Sequence, residues 1–411
     1  MPGLEEKIPS RYREPDNIIT DSLAGLMGTM FFDKTNALAS FLLFSALAGW
    51  IYKCVREKRF IIETDRVGIV LLLMLASALV SSIFSINVRY SFREFRGEIA
   101  KIVLLYFLII TNLKSEKSVK IILKSLLAGA AVMAVIGVIG YFAGFTLFRG
   151  RTVSLYANQS YTPLGFYLLL CCCLLLGFII HDQDRKRKFV YFLLIIVFFS
   201  CIMATLTRSV WLGFFSAVAI SAYFYRKKLL LFFVPVILLF FLLLPANFSA
   251  RFMTIFDYRN YARAGGVLSD RVQLWTSALH IIRDYPILGI GYGKRIFKKV
   301  YLKEGYILPE ATERRALPDC HNLYLSMGVQ GGMVGIALFL TLMAAFFREA
   351  LTAYRQVQDP FTRGFLFGSI LAMFEFLQIG LTGNQFHDEI GLYIIFLMAV
   401  TMVFRRQSIT G

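Results

Sequence analysis

Long apolar runs, each close to the length a helix needs to cross a bilayer, recur along this chain between short charged breaks. A spanning helix takes about 20 mostly apolar residues. In lipid only helices and closed barrels satisfy every backbone polar group. The runs fall near 18–32, 35–53, 67–87, 97–112, 119–145, 161–180, 189–206, 209–225, 229–246, 322–347, 364–382 and 389–404. At 57% hydrophobic, the 411 residues hold apolar material for about ten to twelve spans. Only 17% are charged, against about 25% in an ordinary globular domain. A soluble enzyme, a disordered chain and a secreted disulfide scaffold are excluded. The expected fold is an all-α polytopic membrane protein of about twelve transmembrane helices. The runs 18–32, with Asp21, and 97–112, with Lys101, are short enough to be interfacial or re-entrant. The six Cys read as small buried hydrophobes, since Cys171, Cys172 and Cys173 are adjacent in an apolar run.

Loop charge sets the orientation. Short basic connections, such as Arg185-Lys186-Arg187-Lys188 and Arg226-Lys227-Lys228, belong in the cytoplasm. The chain then divides into a cytoplasmic segment 1–17, helices one to nine over 18–246, a large periplasmic loop 247–321 containing amphipathic helices, helices ten to twelve over 322–404, and a cytoplasmic tail 405–411. The net charge of +18 comes from 44 Lys and Arg against 26 Asp and Glu. Cytoplasmic loops account for part of it, so no nucleic-acid partner is called for. The outward loops should be poor in cations, yet they carry Arg89, Arg93, Arg96, Arg149, Arg151 and Arg208, and the long loop adds Arg271 among others. Arg grips phosphate in a bidentate way that Lys does not. A set of outward Arg points to an anionic ligand at the outer face; contact with lipid headgroups is the plainer alternative.

Three stretches carry candidate chemistry. In Thr207-Arg208-Ser209-Val210-Trp211-Leu212-Gly213, Arg208 opens an outward helix end, where the dipole disfavours a cation unless an anion is shared with the free N–H groups. Thr207 or Ser209 are candidate caps. In Ser269-Asp270-Arg271-Val272-Gln273-Leu274-Trp275, Asp270 and Gln273 resemble a capping box, and apolar spacing predicts an amphipathic helix over 270–284 with Arg271 in its first turn. Leu288-Gly289-Ile290-Gly291-Tyr292-Gly293 follows Pro286 and reads as a tight turn, since no strand precedes it. His321, in Asp319-Cys320-His321-Asn322-Leu323, opens a spanning helix; an imidazole kept neutral there can act as general base or serve as a structural cap. No metal-ligand motif is present.

Taken together these motifs resemble the O-antigen ligase/polymerase family of bacterial inner membranes, and the ligases most closely. Two stretches carry the likeness: Thr207 to Gly213, and His321-Asn322 followed after nine residues by Gly332-Met333-Val334-Gly335. The stretch from Arg271 to Gly293 is also similar. The resemblance implies a fold like class C glycosyltransferases and a multi-pass inner-membrane protein with a periplasmic active site. It implies an inverting, metal-independent transfer of O-antigen polysaccharide from undecaprenyl diphosphate to a sugar hydroxyl of lipid A–core, completing lipopolysaccharide, with no cofactor and no protein partner needed for the chemistry. His321 would be the base and Arg208 and Arg271 would bind diphosphate. Arg93, Arg96, Arg149, Arg151, Asn322 and Asp388 complete the expected substrate-binding set, Asp388 as a candidate helper of His321. The rivals are the related polymerase and a transporter of lipid-linked glycan; the transporter needs ionisable residues along a membrane path, and Lys101 and Glu375 are the chief candidates.

Overall fold

The computed structural model describes residues 14–30, 32, 36–144, 146–147, 151–152, 161–229, 267–301, 306, 319–386 and 388–410. Its helices, in chain order, are α1 (Pro15–Thr29), α2 (Asn36–Arg56), α3 (Arg66–Ile83), α4 (Val88–Gly97), α5 (Ile99–Asn112), α6 (Glu116–Phe142), α7 (Tyr161–His181), α8 (Arg185–Ala204), α9 (Arg208–Tyr225), α10 (Val267–Asp284), α11 (Ile296–Tyr301), α12 (Leu323–Gln356), α13 (Pro360–Gly380) and α14 (Asp388–Thr410). A two-residue antiparallel pair, β1 (Thr146–Leu147) with β2 (Arg151–Thr152), lies between α6 and α7. Among the described residues, eight helices are long and apolar enough to cross a membrane. The protein is a polytopic helical membrane protein.

Eleven of the twelve apolar runs coincide with a helix; the run 229–246 lies, beyond Leu229, outside the described residues. The two short runs become α1 and α5, of 15 and 14 residues. At 1.5 Å per residue they reach about 22 Å, short of a core about 30 Å thick. The stretch 88–96, read from sequence as a loop, is instead the strongly amphipathic α4, opened by Asn87, whose side chain accepts from the Tyr90 N–H.

Helices such as α7, α13 and α14 are buried nearly all round, as their uniformly apolar sequences require. Helix α7 crosses α13 closely because Gly177 meets Gly364 and Gly368, the small-residue contact that lets membrane helices approach. The three adjacent cysteines are fully buried there. At the end of the bundle away from His321, ion pairs join helix ends: Arg66 to Glu349 at 2.9 Å and Arg405 to Glu349 at 3.1 Å, with Arg406 reaching Glu63 and, at 3.5 Å, Asp65.

Helix α12 is interrupted at Gly332, which has φ 60° and ψ −155°. That region is essentially restricted to glycine. The break frees backbone groups that a straight helix would pair internally, and neighbours take them up. Ile290 N–H donates to Val329 O at 2.9 Å, Ser81 Oγ to Gln330 O at 2.7 Å, and Met333 N–H to Pro286 O at 2.7 Å. The turn after Pro286 is thus wedged into the break. Gly289 comes so close that a Cβ there would sit 2.4 Å from Val329 O.

Candidate active site

The turn from α8 into α9 is fixed by Trp211, which is buried and donates its indole N–H to Ile202 O at 3.1 Å. Leu206 holds φ 52°, an outlier for a bulky residue. Thr207 occupies the N-cap position of α9, but its side chain makes no capping bond and its hydroxyl donates to Thr205 O at 3.3 Å. The first N–H groups of α9 are therefore not capped by Thr207, and Arg208, half-buried, is the first residue of that helix.

Asn322, not His321, is the N-cap of α12. Its side chain accepts from Leu325 N–H at 3.0 Å and donates to Leu381 O at 3.1 Å, tying the start of α12 to the end of α13. His321 stands one residue earlier with φ 48°. Its backbone N–H donates to Asp319 Oδ1 at 2.8 Å, and its ring Nδ1 lies 3.0 Å from the same oxygen. The carboxylate side chain is 6% exposed and the imidazole 42%, so the acid is buried behind a ring that solvent reaches. Only an N–H can face that carboxylate, which places a ring proton on Nδ1; in the neutral ring Nε2 is then the acceptor. Burial by itself would raise the Asp319 carboxyl; the His321 ring and backbone N–H, together with the Lys294 charge, outweigh it and hold the group below its ordinary value. Cys320, buried between them, lies 3.1 Å from Ser326 Oγ, and burial pushes its thiol up to about 12.

The elements bearing these groups meet at one end of the bundle. Ser216 of α9 donates to Glu375 Oε1 of α13 at 2.8 Å and to Gln378 Oε1 at 3.0 Å. Tyr324 of α12 donates to Leu377 O at 3.0 Å, and Gly380 packs directly on Leu323. Helix α10 lies along the first part of α12, with Ile282 against Gly328, and Leu274 shares an apolar cluster with Cys320. Arg271, half-buried, belongs to that helix. Helix α10 begins at Val267, three residues before the start expected from sequence. Asp270 is therefore inside the first turn rather than at the cap, and Arg271 follows it in the second turn, where the dipole opposes a cation less.

The remaining expected residues scatter. Arg93 and Arg96 are exposed on α4; Arg93 pairs with Glu94 at 3.3 Å and stacks over Tyr90. Tyr90 in turn accepts from the Arg295 backbone N–H at 3.0 Å, which links α4 to the turn before α11. Arg149 and His387 lie outside the described residues. Arg151 is in β2 and Asp388 starts α14, but their side chains lie outside the described residues. Asp319, two residues before His321, is the partner that sequence reasoning missed, having looked to Asp388; the signal was an Asp-X-His spacing that a tight turn can close. Asn384 was also missed. It is buried, with neither side-chain atom hydrogen-bonded among the described residues. No group of three or more His, Cys, Asp or Glu among the described residues is placed to hold a metal ion.

Residues 192–340, which run from within α8 through the break in α12, match the sequence model of a family described as O-antigen ligase. No curated protein matches the chain. The matched third of the chain contains Arg208, Arg271 and the His321 motif, and over that third the chain is similar to the O-antigen ligase family.

Proposed function

We propose that the protein is the ligase itself, moving O-antigen polysaccharide from undecaprenyl diphosphate to a sugar hydroxyl of lipid A–core. The family match supports ligase- or polymerase-type chemistry on lipid-linked polysaccharide. The observation that carries the finer reading is the exposed imidazole whose Nδ1 faces a buried carboxylate, at the end of the bundle where α9 begins.

In this reading His321 Nε2 takes the proton from the acceptor hydroxyl as its oxygen attacks the anomeric carbon. The bond from that carbon to the diphosphate oxygen breaks, and undecaprenyl diphosphate leaves with the electron pair. A single displacement inverts the anomeric centre. A base of this kind typically contributes about 10²–10⁴ in rate. Arg208, with the first N–H groups of α9, and Arg271 hold the diphosphate and stabilise the charge it gains, without a metal ion. The energy is already stored in the donor, so no nucleotide is required.

Depth supports a surface site. From Arg348 back to the break at Gly332, α12 covers about 24 Å, most of a core about 30 Å thick. His321, before the start of α12 and 42% exposed, then stands beyond that segment, toward headgroup level. Loop charge makes that face periplasmic.

Purified protein, given a lipid-linked glycan and lipid A–core without ATP, is expected to yield glycan attached to lipid A–core. If the product is instead a longer glycan still on its carrier, the protein is the polymerase. If neither forms while the lipid crosses the bilayer, it is a transporter.

A further inference from the structure

At the junction of α2, α4, α5 and α14 lies a cavity of about 340 Å³. Its polar rim holds two cations, Arg93 and Lys101, and two carboxylates, Glu94 and Glu98. Leu43, Ile102 and Leu392 form apolar wall. Helix α2 beside it turns Phe41 and Phe44, 67% and 57% exposed, outward as a lipid-facing helix does.

The charges are arranged for a ligand with both signs. Glu94 and Glu98 stand four residues apart at the α4–α5 junction, a like-charge spacing unfavourable by itself. Burial, and then the charge of Glu98, raise the Glu94 carboxyl above its ordinary value. Arg93, paired with Glu94 at 3.3 Å, offsets part of this, and a ligand cation at the two carboxylates would offset more. Lys101 is held at the rim by donating to Ser40 Oγ at 3.0 Å, and an ammonium carries three donors. With Arg93 it offers a place for a phosphate. A purely anionic headgroup would meet Glu94 and Glu98, and a purely cationic one would meet Lys101 and Arg93. We propose that this cavity binds the phosphate–ammonium headgroup of a zwitterionic phospholipid, the phosphate at Lys101 and Arg93, the ammonium at Glu94 and Glu98, and the glycerol and chains along the apolar wall. An ammonium that still carries N–H groups is preferred, because the carboxylates accept hydrogen bonds. The site stands whether or not the transfer reaction is as proposed.

The test uses the full chain in nanodiscs of equal phosphatidylethanolamine and phosphatidylglycerol, with co-released lipid counted by native mass spectrometry. Wild-type protein is expected to retain phosphatidylethanolamine over phosphatidylglycerol by about tenfold, the scale of one charged hydrogen bond. Lys101→Gln and Glu98→Gln, each checked for monodispersity and melting, are each expected to abolish that preference. Equal retention of the two lipids by wild type overturns the site without reference to any variant. A preference that survives in both folded variants overturns the assigned residues. Displacement of the lipid by an equal concentration of free phosphoethanolamine overturns a lipid as the occupant.

Discussion

Three non-glycine residues among those described hold positive φ, and two of them, Leu206 and His321, stand at the starts of the two helices that bear the candidate chemistry. Such strain persists only where surrounding structure over-determines it. Trp211 provides that at the first position and the Asp319 contacts at the second. His321→Ala is therefore expected to remove transfer, by about 10²–10⁴, with the protein still inserted and monodisperse; wild-type turnover in that variant excludes it as base. Asp319→Asn keeps the turn's acceptor but no longer selects the Nδ1–H tautomer. The expected result is a kcat fall of about 10² or more with KM little changed, read by steady-state kinetics. The same residue gives a pH dependence. Its folded pKa is depressed, so its stabilisation is fully present above the unfolded value, about 3.9, and is lost as pH falls through the lower folded value. The gap between the melting curves of wild type and Asp319→Asn should thus narrow as pH falls below about 3.9 and through the lower folded value.

At the scale of elements, the GxxG spacing after His321-Asn322 acquires a physical meaning. Gly332 is where α12 breaks, and a Cβ there would sit 2.3 Å from Ile287 O. Gly331, its neighbour, has nothing within 4 Å of such a Cβ. Gly332→Ala should destabilise by about 1–3 kcal/mol or more, whereas Gly331→Ala should stay within about 0.5 kcal/mol of wild type. Thermal unfolding in detergent separates them, and equal melting would mean the break does not depend on glycine. The sequence could mark Gly332 and Gly335 as a motif, but it could not say which one bends the helix. That depends on the turn from Pro286 to Gly293 arriving in the gap. Likewise the hydrophobic periodicity of 272–282 showed an amphipathic helix, while its start was misplaced by three residues because Asp270 has the composition of a cap without the position.

For the whole molecule, one end of the bundle is tied by ion pairs and the other holds the candidate site. Glu349 is the hub of the first, bonded to Arg66 and Arg405 from two other helices, with its own side chain 13% exposed. Glu349→Gln should cost about 1–3 kcal/mol and lower the melting temperature with the active-site kinetics intact. An unchanged melting temperature would show that the network adds nothing to packing. Arg66 is itself 62% exposed, so Arg66→Gln should cost less, within about 1 kcal/mol.

Twelve apolar runs, the basic loops and two short motifs were all legible in the chain itself, because lipid solvent imposes composition directly on each spanning segment, residue by residue. The same local rule explains why helix positions could be read without a fold. The carboxylate behind His321, the break in α12 and the mixed-charge cavity were decided by tertiary structure alone. Each depends on side chains or backbone atoms meeting across a turn or between helices. Lys101 and Ser40, for example, are 61 positions apart, and no periodicity within one segment encodes a contact made between two.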